Sequence, residues 1–435
     1  MLGMFMVLPV LATYGGELKD STPFLIGLAI GVYGLTQALF QIPFGYLSDK
    51  IGRKPIIYGG LLVFALGSLV AAEATSIWGV ILGRVIQGGG AISAVVMALL
   101  SDLTREQHRT KGMAVIGITI GLSFAVAMIL GPFLTHLFGL SGLFVVTAIL
   151  ALLGILIVLF VVPNATARHN RETGVTKQAI LPILRNKELL RLDLGIFTLH
   201  ATLMASFIAL PLALVHRAGL PKEQHWWVYL TALLIGFFAM IPFIIYAEKK
   251  RHMKRVLRFA IFVLFLCELY FWYFSHSLVA LVIGMTLFFT AFNLLEASLP
   301  SLISKVAPAG SKGTAMGVYS TSQFLGSALG GILGGALYQH FGFAGVFGGC
   351  ALLIFAWFLL ALSMKEPPYV TSWHLPLKKL LDNNQQLTDK LKVLPGVTDA
   401  VIIDEETALY VKVDVKQLDR TAFDKIVESS VVANN

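Results

Sequence analysis

Gly45-Tyr46-Leu47-Ser48-Asp49-Lys50-Ile51-Gly52-Arg53-Lys54 is a short charged interruption between two long apolar runs, 24–47 and 55–72. An α-helix rises about 1.5 Å per residue, so about 20 apolar residues cross about 30 Å of hydrocarbon. Runs of that length recur at 77–100, 113–134, 142–162, 192–214, 226–247, 256–275, 277–300, 313–338 and 342–364. Apolar residues continue around every turn of them, as suits lipid or a bundle interior. The opening segment, Met1 to Ala12, is apolar but only about half a span long. A half-span would leave backbone groups without partners in lipid, so the expectation is a chain that begins inside the first helix of a twelve-span parent.

The composition agrees. The 435 residues are 57% apolar and 13% charged, with a mean hydropathy of +0.80; a soluble domain averages about 25% charged. Residues 1–369 carry 25 Lys/Arg and 14 Asp/Glu, whereas 370–435 carry 8 and 10. The first part is too poor in charge to coat a water-facing surface, and the tail is ordinary soluble protein. Soluble enzyme, nucleic-acid binder and disordered chain are excluded as readings of the whole. Cys267 and Cys350 both sit in apolar runs, so no disulfide framework, thiolate metal site or cofactor is signalled.

Basic residues set the expected orientation. The loops at 48–54, 101–112, 163–191, 248–258 and 305–312 hold 20 Lys/Arg, and the opposite loops hold only Lys19, Arg217 and Lys222. That asymmetry predicts both termini, the long middle loop and the tail on the cytoplasmic side of the inner membrane.

Two halves of the chain resemble each other. Ile42-Pro43-Phe44 with Asp49-Lys50 recurs as Ile241-Pro242-Phe243 with Glu248-Lys249, and Lys111-Gly112-Met113-Ala114 as Lys312-Gly313-Thr314-Ala315. Phe138-Gly139…Gly142…Phe144 recurs as Phe341-Gly342…Gly345…Phe347. The organisation read from this is a six-helix half at 1–162, a charged linker at 163–191, a second half at 192–364 and a tail domain at 370–435. Two such halves joined by a linker are the signature of a rocking transporter.

The Gly45–Lys54 stretch resembles the loop 2–3 signature of the major facilitator superfamily. Arg84-Val85-Ile86-Gln87-Gly88 resembles its fourth-helix motif. Ala127 to Gly131-Pro132 is similar to the fifth-helix motif of its proton-driven exporters, with Ala127 where a glycine is usual and Thr135-His136 where a glycine pair is usual. The resemblance implies an all-α membrane protein of two six-helix bundles, with a small α+β domain on the tail.

Gly45 lets another helix approach closely. By resemblance Asp49 faces the start of the eleventh span, Ser311-Lys312-Gly313-Thr314, with Ser311 as its N-cap. A carboxylate near a helix N-terminus gains about 0.3–1 kcal/mol, and ~2 when partly buried. Arg53 can pair with Asp49 or with Asp102. Gly45, Asp49, Gly52, Arg53 and Asp102 therefore form a candidate conformational latch; the competing reading is a basic anchor that only fixes topology. In the second copy Glu248 keeps the acid, but Ile244 replaces the glycine and His252 the arginine, so an asymmetric latch is expected.

Ionisable groups within spans each need a reason, since a charge at mid-bilayer costs at least ~2.5–3.5 kcal/mol. The resemblance implies that spans one, four, seven and ten line a central cavity, so Arg84, His200, Asn293 and Glu296 would face substrate and Glu268 would be peripheral. Glu296 is the first candidate for the coupling proton and His200 the second, because burial and nearby cations pull a carboxyl in opposite senses and imidazole titrates near neutrality. Glu296, about five residues from the end of its run, can instead reach interfacial water, and His200 can be a satisfied bundle histidine. Asp193 reads as a helix-start cap, and Glu268 as snorkelling to headgroups. Trp226-Trp227 and Phe271-Trp272-Tyr273 read as an interfacial belt. Gly326, Gly330 and Gly334, with Gly331 and Gly335, form overlapping small-xxx-small spacings that allow close helix packing.

In the tail, Val397–Ile403 and Leu409–Val413 flank Asp404-Glu405-Glu406 as a hairpin, and Leu375–Lys392 and Leu418–Glu428 have helical spacing. Strands at 369–374 and Val431-Val432 would complete a ferredoxin-like βαββαβ unit. The tail has no cysteine, so thiolate metal binding is out; docking, sensing and passive stabilisation all remain open. The expectation for the whole is a secondary transporter working by alternating access, exchanging protons for a small, fairly apolar solute, with no Walker loop for ATP. Proton-symport uptake, and a transport-dead sensor signalling through its tail, are the alternatives.

Overall fold

The computed structural model describes residues 2–104, 109–164, 177–377, 384–403 and 408–432. α1 (Leu2–Tyr14) leads through a 3-10 turn into α2 (Pro23–Ile51). Thr22 Oγ1 accepts from Leu25 N at 3.2 Å to open α2, and Pro23 sits where a missing N–H costs nothing. α3 is Arg53–Ala72, separated from α2 by Gly52 alone, so the motif is a helix corner instead of the expected loop. The fourth span is broken: α4 (Ile77–Gly89) and α5 (Ser93–Leu103) meet at 90–92, where the backbone of Gly90 lies against that of Gly60 on α3.

α6 (Arg109–Phe160) and α12 (Lys312–Leu362) are each about twice as long as one crossing. Each reverses at one glycine in the left-handed half of conformational space, Gly139 (φ 70°, ψ −179°) and Gly342 (φ 60°, ψ −148°). These are the very glycines the internal repeat aligns, so the two halves turn at the same place for the same backbone reason. Between them lie α7 (Lys177–Arg185), α8 (Lys187–His216), α9 (His225–Lys249), α10 (Met253–Phe274) and α11 (Leu278–Val306). Part of the expected linker is thus helical, and α8 begins before the expected 192, capped by Asn186 Oδ1, which accepts from Glu188 N (3.0 Å) and Leu189 N (3.4 Å).

Among the described residues, nine helices are long and apolar enough to cross a membrane. Large apolar side chains such as Leu152, Ile157, Phe160 and Phe238 are exposed along them, a surface suited to lipid. Trp226, Trp272 and Tyr273 are exposed at helix ends, as expected of a belt. Phe271 is not part of it: it is fully buried, its ring 5.4 Å from that of Phe347.

The first arm of α12 lies between α8 and α2. Gly326 and Gly330 put the α8 backbone, at Phe197 and Ala201, where a side chain would stand, while Gly331 and Gly335 do the same toward Gly27 and Gly31 of α2. The small-xxx-small stripe therefore serves two faces at once, and dispersion between closely approaching backbones holds the contact.

The tail builds β1 (Thr371–Pro376), α13 (Asn384–Lys392), β2 (Val397–Ile403), β3 (Ala408–Val413) and α14 (Arg420–Val432). The sheet is antiparallel with order β1-β3-β2; Val411 pairs with Trp373 on one side and Ala400 on the other. Val431-Val432 ends α14 and forms no fourth strand, and Leu375 belongs to β1, not to the helix expected there. The tip of the expected hairpin, 404–406, lies outside the described residues. All six residues of β3 are buried, because alternate side chains meet different partners. Leu409, Val411 and Val413 pack with Leu391 and Phe423, whereas Ala408 and Tyr410 pack with Ile403 and Ala309, the latter in the turn between α11 and α12.

Candidate functional site

Gly52 (φ 106°, ψ 154°) lets α2 stop and α3 start with no intervening loop. Arg53 then stands beside the last turn of α2. It is ion-paired with Asp49, donates from Nε to Asp102 Oδ2 at 2.9 Å, and donates from Nη1 to Ser48 Oγ at 2.7 Å. Asp102 is in the last turn of α5, and its side chain is 2% exposed. One guanidinium therefore ties α2, α3 and α5 together, and both expected acidic partners of Arg53 are engaged at once. Lys54 Nζ donates to Val162 O at 2.6 Å, adding the end of the sixth span.

Two expectations for this corner differ from what is found. A Cβ on Gly45 would meet only Ala94 Cβ at 3.9 Å, so no helix crowds it in this conformation. Asp49 is committed to Arg53, with no described bond to Ser311–Gly313, and the Ser311 hydroxyl makes no cap bond to α12. Among the described residues, the polar contacts that cross between the halves cluster at the far end. Lys222 Nζ reaches Glu17 Oε1 at 3.0 Å, His136 Nδ1 lies 3.7 Å from Glu223 Oε1, and Phe24 N donates to Gln339 Oε1 at 3.0 Å.

The second copy of the corner has taken another task. Glu248 pairs with Lys305 of α11 at 2.8 Å, and His252 lies against Tyr246. Arg251 (φ 56°) points at the tail and holds Asp414 with two bonds, 2.8 and 2.7 Å. The Asp414 carboxyl is held below its usual range by its hydrogen bonds to that guanidinium, and the Arg251 pKa is raised by the same bonds. Lys412, on the side of β3 that faces the helices, donates to the carbonyls of Ser304 (3.1 Å), Lys305 (2.9 Å) and Ala307 at the end of α11. Ala309 N donates to Asp399 Oδ2 at 2.9 Å. Sequence reading missed this seat; its one visible sign was a lysine alternating with β3's apolar residues.

Inside the spans, Arg84 does not join the other candidates. It is 1% exposed, donates to Ala29 O (3.2 Å) and Gln87 Oε1 (2.9 Å), and stacks over Tyr33 with its guanidinium carbon 4.4 Å from the ring centre. Gln87 passes the network on to Ser68 Oγ at 2.7 Å. These partners lie on α2, α3 and α4, so Arg84 braces the first half where a substrate-facing position was expected.

His200 and Glu296 do meet. Gln323 of α12 brings them together: its Nε2 lies 2.8 Å from His200 Nε2 and 3.3 Å from Glu296 Oε1, while His200 Nδ1 is 3.9 Å from Glu296 Oε2. The Glu296 side chain remains 37% exposed, so the group borders open space. α11 continues ten residues beyond Glu296, which sets the carboxyl deeper than the sequence suggests. Gln323 carries no charge, which is why inspection of ionisable residues passed it over. Asn293 sits about one turn before Glu296, half-buried and outside this bonded group.

Two further carboxyls depart from expectation. Asp193 is not a cap, since Asn186 fills that role; it is 4% exposed and neither of its oxygens has a partner among the described residues. Glu268 does not reach headgroups: it is fully buried, accepting from Ser206 Oγ at 2.8 Å. The exporter-type segment makes a tight helix contact, since a Cβ on Gly131 would lie 2.6 Å from Met6 O of α1. Pro132 follows inside α6, and Thr135 Oγ1 donates back to Gly131 O at 2.8 Å.

The family model described as Major Facilitator Superfamily matches residues 1–331 and, in an overlapping second match, 254–403. The chain is 53% identical over 431 residues to the inner membrane transport protein YajR of Escherichia coli (strain K12), covering 99% of this chain and 95% of that protein. It is 28% identical over 349 residues to the multidrug resistance protein MdtH of Aeromonas hydrophila, covering 78% and 85%. The crystal structure of the human organic anion transporter MFSD10 (TETRAN) superposes with a TM-score of 0.60 at 20% identity, over 83% of this chain and 95% of that one, a likeness of fold. Motif corner, paired turning glycines and family match coincide: the chain belongs to the major facilitator superfamily of transporters.

Proposed function

We propose that the protein is a proton-coupled antiporter of the inner membrane that exports small, fairly apolar solutes by alternating access. Its halves are 1–162 and 187–364, joined through 163–186, with the motif corner, the tail domain 370–435 and both termini on the cytoplasmic side. The observation that carries the reading is the Gln323-bridged pair of His200 and Glu296, an acid and an imidazole at a buried wall that still borders open space. Such a pair can exchange a proton and a solute at one place, because either occupant changes the charge the other meets. Phe124 of the first half, within 6.4 Å of Phe207 and 6.1 Å of Phe289 of the second, offers an apolar surface between the halves. Relatives named as multidrug and tetracycline resistance proteins support export.

In this reading the Arg53-centred corner is the inner rim of the gate. Asp49 trades its bond to Arg53 for the free N-terminus of α12 when the rim closes, and Asp102 retains the guanidinium meanwhile. Gly45 is then the point where the approaching helix needs room. The test is proton flux in proteoliposomes against a panel of organic cations. Glu296→Gln should abolish solute-driven proton movement, and Asp49→Asn should stop turnover while leaving insertion intact. Full exchange in both variants would end this account. Solute-driven proton movement along with the solute, instead of against it, would convert the reading to symport.

A further inference from the structure

His136 is the residue of the exporter-type segment that the proposed cycle leaves without a task. It stands just before the turning glycine Gly139, as Gln339 stands just before Gly342, so the internal repeat pairs the two positions. Both reach across to the other half at the far end. Gln339 Oε1 accepts from Phe24 N at 3.0 Å, which satisfies one N–H in the first turn of α2. His136 Nδ1 lies 3.7 Å from Glu223 Oε1, in the turn Lys222–Gln224 that leads into α9. The two side chains are 55% and 44% exposed, so both meet water. The Gln339 contact contains no titratable group and holds at any pH. The His136 contact changes strength with a proton, because only a protonated imidazole offers the carboxylate an opposite charge.

The surrounding charges favour that proton. Lys222 holds Glu17 at 3.0 Å, with its ammonium 4.5 Å from the centre of the Tyr14 ring. With His136 neutral, Glu17 and Glu223 face Lys222 alone; a protonated His136 brings the corner to balance. Lys19 and Asp20, further along the Glu17 loop, are of opposite sign and offset each other. The other titratable groups on elements packed against α6 near this end are Tyr14 on α1, Glu73 at the end of α3 and His225 at the start of α9. His225 is 2% exposed with its ring edge-on to Tyr229, whereas His136 is open to the far-side water. We propose that His136 and Glu223 form a clasp set by the pH of the far-side aqueous phase, holding the far end closed when that phase turns acidic. The proposal rests on the alternating-access part of the reading above and not on proton coupling, since this proton stays on the side it came from. The attraction exists only while the halves touch and the ring is charged, so acid adds to closure and the gain is lost as the ring gives up its proton.

The test needs no known solute. Spin labels on cysteines at Trp78, 55% exposed at the start of α4, and at Val279, 69% exposed at the start of α11, report the far-end separation of the halves by pulsed EPR in lipid nanodiscs. The full chain is measured from about pH 5 to about pH 8, the range in which imidazole changes charge. Wild type is compared with Glu296→Gln, in which the proposed coupling carboxyl no longer titrates. In both, the ratio of open to closed far ends should rise about two- to five-fold across the range, as loss of an exposed ion pair gives. His136→Gln and Glu223→Gln should each flatten that dependence, and the exchange His136→Glu with Glu223→His should restore it, which a packing role would not require. A rise of wild-type size in His136→Gln overturns the clasp. A rise in wild type that Glu296→Gln abolishes assigns the response to the coupling carboxyl and overturns the clasp as well. One unchanging distance at every pH in every variant overturns alternating access itself, and the clasp with it.

Discussion

Replacing Lys412 by methionine removes the ammonium shared by three carbonyls at the end of α11 while keeping a side chain of similar reach. Lys412 is 4% exposed, so water does not replace it without the tail moving. A cation at a helix C-terminus is worth up to about 2 kcal/mol when partly buried, within the range for a hydrogen bond to a charged group. These describe one contact and are not added. Losing about 2 kcal/mol lowers the ratio of seated to unseated tail roughly 30-fold. Spin labels on cysteines at Val393, which is 85% exposed, and at exposed Lys250 would read the seat by pulsed EPR, because the native Cys267 and Cys350 are buried. The expected result is a second, longer and broader distance population in Lys412→Met and little change in Lys412→Arg. An unaltered single distance in Lys412→Met would refute the reasoning, since the ammonium would then not be what holds the tail.

The Arg251–Asp414 pair should respond to pH in one direction. A carboxyl whose seated value is lowered from 3.8 adds stability above that ordinary value and loses it as pH falls through the seated one. The same label pair should therefore read a constant distance across neutral pH and unseating only below about pH 4, a dependence that Asp414→Asn removes. Gly31→Val drives a branched side chain into Ala328 O, 2.3 Å from where its Cβ would lie, so α2 and α12 should part at the far end. Overpacking of this kind costs about 1–3 kcal/mol, and a widened distance between labels at Lys19 and His340 would register it. Gly52→Ala puts a side chain at φ 106° and should lower the melting midpoint by an amount matching roughly 1–3 kcal/mol. Gly45→Ala, with open space around it, should leave the midpoint unchanged, which scanning fluorimetry in detergent can compare directly.

What could be read in advance follows from how local each signal is. The spans, the paired turns at Gly139 and Gly342, and the glycine stripe of α12 are written in periodicity and residue size. Arg53 and its two acids are close in motif or in topology, so their meeting was foreseeable. The direction of Arg84 was not: which face of α4 meets α2 depends on helix crossings that no spacing encodes, and Tyr33, Gln87 and Ser68 supply the polar niche. Asp193 was misread because the apolar run starts later than the helix; Asn186 and the charged first turn extend α8 backwards. Val431-Val432 is β-branched, yet it continues α14 beyond Phe423, which packs into the tail's core and overrides propensity. Lys412 could be placed on a face of β3 from alternation alone, but its carbonyl partners lie about a hundred residues earlier in the chain.

Among the described residues, the tail is fastened to elements following the linker — the α9–α10 corner, the end of α11 and the turn after it — and so rides with one half. Any tilt of that half swings the sheet bodily, as a pointer turns with the shaft it is pinned to. In the proposed alternating-access cycle, small rotations among the spans would thereby become large displacements of the tail, which a fluorescent reporter could follow.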